Sequence, residues 1–313
     1  MSKIEILQVG PYPEWDEVPL NEQFVTHRYF EAKDKRALLQ RVGSSILGVA
    51  CRGESVVDRE MIEAMPRLEI IAVYGVGYDG IDIEACRQRN IRITNTPGIL
   101  AKDVADLAVG MMLALGRGIV PADHWVRSGA WTAKGPFALQ RRMHERRAGI
   151  LGLGQIGQQV GLRLAGFEIP VAYHNRTPKT SDWEYVANAV ELARRVDVLF
   201  VTLAATPETR HFVSREVIEA LGPDAMLINV SRAANVDEEA LLDALESGRL
   251  GSAALDVFEG EPNLNPRFVR LANVLLQPHQ GSGTVETRKS MGQLMRDNLA
   301  AHFSGQPVLT PVI

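Results

Sequence analysis

Gly152-Leu-Gly154-Gln-Ile-Gly157 follows the apolar run Ala148 to Leu151 directly and leads into a helical pattern in which Ile156, Val160 and Leu164 recur every four residues. Strand, glycine loop and helix in that order constrain the fold more than anything else in the chain. The first glycine permits a tight turn, the second lets backbone approach a pyrophosphate, and the third lets helix pack on strand, while the helix N-terminus offers unpaired amides. A lone glycine motif is weak. The strand before it and the helix after it turn it into a dinucleotide site at Gly152, Gly154 and Gly157.

The same strand-and-helix grammar runs through the chain. Ile4 to Val9, Ile46 to Ala50, Ile70 to Tyr74 and Ile91 to Thr94 read as buried strands of a first parallel sheet. Ala148 to Leu151 begins a second series, continued by Val171 to His174, Val198 to Leu203, Met226 to Val230, Ala253 to Val257 and Val274 to Gln277. Asp103 caps a helix predicted to run to about Arg117, whose continuous apolar character suggests burial. Thr284 opens a long amphipathic helix through Met291, Met295, Leu299 and Phe303 to Gly305, expected to return to the first domain. The fold class is therefore α/β, with two doubly wound parallel-sheet domains. A nucleotide domain of the Rossmann type, residues 97–285, is inserted into a flavodoxin-like substrate domain made of residues 1–96 and 286–313.

Length and composition narrow the function. The 313 residues suffice for two cores. A net charge of -4 offers no basic face to displace counterions, so no nucleic-acid partner is expected. Cys51 and Cys86 lack paired metal-ligand spacing, which predicts no metal and a reducing, cytoplasmic setting. Met1-Ser-Lys-Ile-Glu-Ile is interrupted by charge at once and does not read as a secretory signal, and Leu107 to Leu115 is too short to cross a bilayer.

The end of the strand after the glycine loop reads Tyr173-His-Asn-Arg-Thr-Pro-Lys179. An NAD site places an acid about twenty residues beyond the loop, on the ribose hydroxyls; no acid stands here. Asn175, Arg176 and Thr177 can instead donate to a 2′-phosphate, with Lys179 a further cation. A charged hydrogen bond is worth about 1.5 to 3 kcal/mol, roughly tenfold to over a hundredfold in affinity, which favours NADPH and leaves NADH the weaker cofactor.

Three polar residues lie just past the carboxyl ends of predicted strands, where open α/β sheets bind ligands: Arg232, Glu261 and His279. Reducing a 2-oxo acid needs a cation for the substrate carboxylate and carbonyl, and a proton donor for the oxygen that becomes a hydroxyl. Arg232 and His279 meet those needs. Glu261, within reach of His279, would fix the imidazole tautomer and favour its acid form. Singly, each has a bland reading as a surface arginine, a loop glutamate and a satisfied histidine.

Together these segments resemble the D-isomer-specific 2-hydroxyacid dehydrogenases, through Leu151-Gly-Leu-Gly-Gln-Ile-Gly157, Asn229-Val-Ser-Arg-Ala-Ala-Asn-Val-Asp237, Ala254-Leu-Asp-Val-Phe-Glu-Gly-Glu-Pro262 and Pro278-His-Gln-Gly-Ser282. Ala220-Leu-Gly-Pro223, Gly281-Ser-Gly-Thr-Val-Glu-Thr-Arg288 and the ending His302-Phe-Ser-Gly305 with Leu309-Thr-Pro311 are similar to the NADPH-using glyoxylate, hydroxypyruvate and hydroxyphenylpyruvate reductases. The resemblance implies hydride transfer with Arg232, Glu261 and His279 as the catalytic set, and backbone at Val76 and Gly77 as the substrate-carboxylate site. It further implies cofactor contacts at Gln155, Ile156, Thr206, Val230, Ser231, Asp256 and Gly281. It also implies a homodimer built on the nucleotide domains.

Two positions depart from the family pattern: Ala233 stands where a glycine commonly follows the arginine, and Gln280 where an apolar residue is frequent. Neither removes a functional group. Trp131 and Phe137 either narrow the substrate pocket, reach a partner subunit or belong to ordinary core, and Arg52, after a predicted strand, either faces the cleft or does not serve it. Alternatives are an aryl-pyruvate reductase and a dinucleotide-binding corepressor-like module, with formate oxidation disfavoured by the glutamate partner of His279.

Overall fold

The computed structural model describes residues 3–313; Met1 and Ser2, included above in the substrate domain and in the chain start, lie outside the described residues. The chain divides into two compact units, one running to Leu100 and resuming at Thr284, the other spanning Ala101–Gly283.

In the first unit, β1 (Glu5–Gln8), β2 (Val25–Arg28), β3 (Gly48–Arg52), β4 (Ile70–Tyr74) and β5 (Arg92–Thr94) form a parallel sheet in the order β2-β1-β3-β4-β5. That is the flavodoxin-like winding. β4 is buried at all five positions, as a strand covered by helices on both faces must be. The helix Val285–Phe303 packs on β4 and on the helix Glu14–Gln23. Thr284 caps it by accepting from the Thr287 amide, so the predicted start holds.

In the second unit, β6 (Ala148–Leu151), β7 (Val171–His174), β8 (Glu184–Tyr185), β9 (Val198–Val201), β10 (Met226–Asn229), β11 (Ser252–Leu255) and β12 (Val274–Leu276) run parallel in the order β12-β11-β10-β9-β6-β7-β8. β6, β9 and β10 are wholly buried. Sequence patterning misses β2 and β8. Both are edge strands, and β2 is exposed or half-exposed at every position, so neither presents an apolar run. β9 ends at Val201, two residues before the predicted Leu203, and the Thr202 hydroxyl donates to the Gly152 carbonyl at 2.7 Å. The apolar helix spans Ala101–Gly116 and packs on Gln155–Ala165 within this unit. Among the described residues no single helix is long and apolar enough to cross a membrane.

Candidate active site

The glycine loop joins β6 to the helix Gln155–Ala165. Gly152 adopts φ +97°, and a Cβ there would sit 2.9 Å from the Leu203 amide nitrogen. A Cβ on Gly157 would collide with the Gly152 carbonyl oxygen and lie 2.9 Å from the Thr202 hydroxyl. Around Gly154, by contrast, a Cβ would meet nothing within 4 Å. The first and third glycines are thus required by the protein's own packing, while the second borders open space where a pyrophosphate can approach the amides of Gln155, Ile156 and Gly157.

β7 delivers Asn175 to the same loop: its Oδ1 accepts from the Leu153 amide at 2.7 Å. The side chain read from sequence as a phosphate donor therefore also holds the glycine loop in shape. The turn beyond is tied down by Tyr173, whose hydroxyl donates to the Lys179 carbonyl and accepts from the Lys179 amide, each at 2.9 Å. Tyr185 adds a bond from its hydroxyl to the Asn175 carbonyl. Arg176 and Thr177 stand exposed on this fixed turn. The Thr206 hydroxyl, with a smaller pull from Arg176, holds the Glu208 carboxyl below its usual value.

β10, β11 and β12 are adjacent and in register, with Asn229 opposite Leu255 and Leu255 opposite Leu276. Their following loops leave the sheet at one level. After β10, the Asn229 Oδ1 accepts from the Ser231 amide at 3.0 Å and from its hydroxyl at 2.7 Å, while Nδ2 donates to the Arg232 carbonyl at 3.2 Å. Asn235 donates to the Ser231 hydroxyl and to the Leu203 carbonyl. Val230 and Ser231 are buried, and Arg232 is half-buried, its Nη1 donating to the Ser231 carbonyl.

After β11, Asp256 is 2% exposed, and its two oxygens accept from the amides of Gln280 and Gly281, each at 2.8 Å. Burial raises the Asp256 carboxyl, and those amides oppose the rise. Asp256 thus braces the turn that carries His279, a role beside the cofactor contact expected of it. His279 itself adopts φ +52°, an unfavourable left-handed conformation for a residue with a Cβ. Its Nδ1 lies 2.6 Å from the Oε2 of Glu261. The other Glu261 oxygen accepts from the Phe258 amide at 2.8 Å. Burial works against ionisation of Glu261, but the bonds from His279 and Phe258 and the charges of His279 and Arg232 outweigh it and hold the carboxyl below its ordinary value. The three residues singled out in the sequence therefore share one electrostatic site.

In the first unit, Val76 and Gly77 follow β4, half-buried. The Gly75 carbonyl accepts from the Thr96 amide and the Val76 carbonyl from the Asn95 Nδ2, both at 2.8 Å. In a trans peptide the N–H points opposite its carbonyl, so anchoring these two carbonyls presents the Val76 and Gly77 amides on the other side. Neither Asn95 nor Thr96 stood out in the sequence. Arg52 ends β3 and pairs with Glu54 at 2.5 Å. Phe137 packs edge-on against Trp125, whereas Trp131 is 60% exposed and is not core within this chain. Among the described residues no group of three or more metal-ligating side chains forms.

Residues 109–281 match the family model for the D-isomer specific 2-hydroxyacid dehydrogenase NAD binding domain. The hydroxyphenylpyruvate reductase of Plectranthus scutellarioides is 45% identical over 314 aligned residues, with all of both chains covered. The glyoxylate/hydroxypyruvate reductase A of Arabidopsis thaliana is 43% identical, also with all of both covered. Among solved structures, a 2-hydroxyacid dehydrogenase from Ketogulonicigenium vulgare superposes with a TM-score of 0.94 at 62% identity, covering 100% of this chain and 99% of that one. The NADPH-dependent glyoxylate/hydroxypyruvate reductase of Sinorhizobium meliloti, in complex with NADP and malonate, gives 0.91 at 37% identity, covering 99% and 97%.

Proposed function

The chain belongs to the D-isomer specific 2-hydroxyacid dehydrogenase family, and on that premise we propose that it reduces small 2-oxo acids, glyoxylate and hydroxypyruvate among them, to D-2-hydroxy acids with NADPH. The observation that carries this reading is the His279–Glu261 pair at 2.6 Å, with Arg232 close enough to act on the same carboxylate.

The open surface at Gly154 and the amides of Gln155, Ile156 and Gly157 suit a pyrophosphate, and Arg176 with Thr177 suits a 2′-phosphate. Thr206, Val230, Ser231, Asp256 and Gly281 are the further proposed contacts. When bound, NADPH supplies the hydride that the keto carbon accepts. The chain's part is to hold the oxo acid and deliver a proton. In the first unit the amides of Val76 and Gly77 suit a carboxylate, and in the second the Arg232 cation suits the polarised carbonyl of an oxo acid. With Nδ1 engaged by Glu261, the His279 Nε2 is the nitrogen that gives its proton to the carbonyl oxygen. Glu261 stabilises the protonated imidazole and fixes its direction.

Aryl-pyruvates are a second substrate class, favoured by the 45% identity to a hydroxyphenylpyruvate reductase. We further propose a cytoplasmic homodimer. Cys51 and Cys86 are free and buried, in keeping with a reducing compartment. Ile119, Val120, Val126, Trp131 and Leu139 expose apolar surface along one stretch of the nucleotide unit, as a self-associating face would. A monomer mass in light scattering would refute the dimer.

The testing experiment follows absorbance loss from NADPH and from NADH with glyoxylate, hydroxypyruvate, pyruvate and hydroxyphenylpyruvate, with Arg232→Ala as control. Turnover with NADPH that disappears in Arg232→Ala is the expected result. Tight NADPH binding without turnover of any oxo acid would overturn the reductase reading in favour of a dinucleotide-sensing module.

A further inference from the structure

The anchor of the Val76 carbonyl is itself anchored, and the chain of bonds leads to the C-terminal tail. The Asn95 carbonyl accepts from the Thr310 hydroxyl at 2.6 Å. That hydroxyl in turn accepts from the Asn298 Nδ2 at 2.8 Å. Asn298, fully buried in the helix Val285–Phe303, uses its Oδ1 to accept from the amides of Leu309 and Thr310 at 2.9 and 3.1 Å, and its Nδ2 also donates to the Leu294 carbonyl. Pro311 bridges Thr94, and the Val312 amide donates to the Ile93 carbonyl at 2.7 Å. The tail is thus stitched along β5 and ends on the residue that holds the Val76 peptide.

We propose that the C-terminal segment Leu309-Thr310-Pro311 is a strap that positions the Gly77 amide, within the Val76–Gly77 loop, for the substrate carboxylate, with Thr310 and Asn95 as positioning residues. The proposal rests on the reading of that loop as the carboxylate site. Two features set it apart from simple tail packing. The Thr310 hydroxyl uses both its donor and its acceptor capacity on side-chain and backbone groups of one line, Asn298 to Asn95. The line then ends on a single carbonyl whose peptide partner is the Gly77 N–H. Fixing that plane stabilises bound carboxylate in ground and transition states alike, because the carboxylate stays charged throughout. Its loss acts on KM and spares kcat.

The test uses the full chain and compares Thr310→Val, which keeps shape and removes the hydroxyl, with Thr310→Ser, which keeps the hydroxyl. One net hydrogen bond corresponds to an increase in KM of about three- to tenfold for glyoxylate and hydroxypyruvate alike in Thr310→Val, with kcat within about twofold, NADPH Kd unchanged and near-recovery in Thr310→Ser. An unchanged KM in folded Thr310→Val, or a parallel loss of NADPH affinity, overturns the proposal. Should Thr310→Val not fold, Asn95→Asp decides by the same criteria, since its carboxylate cannot donate to the Val76 carbonyl. Gly77→Pro, which removes the amide N–H, separates the two ideas. If it leaves KM unchanged, the carboxylate reading itself fails; if it raises KM while Thr310→Val does not, the strap alone fails.

Discussion

Nδ1 of His279 lies 2.6 Å from Oε2 of Glu261, and His279 reaches it from a backbone conformation, φ +52°, that a residue with a Cβ seldom adopts. The backbone cost is consistent with a side chain whose direction matters more than local comfort. Removing the imidazole in His279→Ala should lower kcat by about two to four orders of magnitude, the usual worth of a positioned proton donor, with NADPH Kd unchanged. Stopped-flow hydride transfer and cofactor fluorescence measure the two separately.

Glu261→Gln keeps the shape of the pair and removes its charge. In the wild type the carboxyl titrates below its ordinary value, so it is an anion throughout the neutral range and stabilises the protonated imidazole. The variant should therefore lose kcat in the neutral range while its NADPH Kd holds. The linkage has its own sign: a lowered carboxyl contributes stability above its unfolded-state value and loses it as pH falls through the folded-state value. Thermal melts below about pH 4.3, the unperturbed value, should show the wild type losing stability more steeply than Glu261→Gln. An unchanged kcat in Glu261→Gln would count against the assigned role.

Arg176→Ala should weaken NADPH binding by roughly tenfold to a hundredfold, the equivalent of one charged hydrogen bond, and leave NADH nearly unaffected. Asn175→Ala should behave differently. It takes the acceptor from the Leu153 amide and so should weaken both cofactors. Titrations of nicotinamide fluorescence distinguish a charge effect from a loop effect.

Asp256→Ala leaves the amides of Gln280 and Gly281, which it now holds at 2.8 Å, without their acceptor. Each unsatisfied amide costs about 1 to 3 kcal/mol, so Tm should fall by several degrees and kcat should fall with it as the His279 turn loosens. A normal Tm with normal kcat would mean that the turn is held by other contacts.

Much of this was legible in the sequence because it is written in contiguous residues. The glycine loop, the buried runs of β6, β9 and β10, and Arg232, Glu261 and His279 beyond neighbouring strand ends all carry local signatures. β2 and β8 do not, since an edge strand with exposed side chains looks like loop. Asn95, Asn229 and Thr310 escaped for another reason. Each acts through a hydrogen bond to backbone, and for Asn95 and Thr310 the partner is remote in sequence. An asparagine in a turn gives no hint of the carbonyl it will find. Trp131 stood out but stayed open between pocket, partner contact and core, because an aromatic side chain suits all three; its 60% exposure belongs to the folded surface alone.

The chain leaves its first unit at Leu100 and re-enters it at Thr284, so the glycine loop, the proposed cofactor-discriminating turn and the proposed proton-transfer group are all encoded by one uninterrupted stretch. Arg232 lies inside that stretch and Val76 and Gly77 lie outside it, so the proposed substrate contacts are encoded in different parts of the chain and can change independently. Substitutions in the flanking segments can alter the proposed carboxylate loop while the inserted stretch passes unchanged.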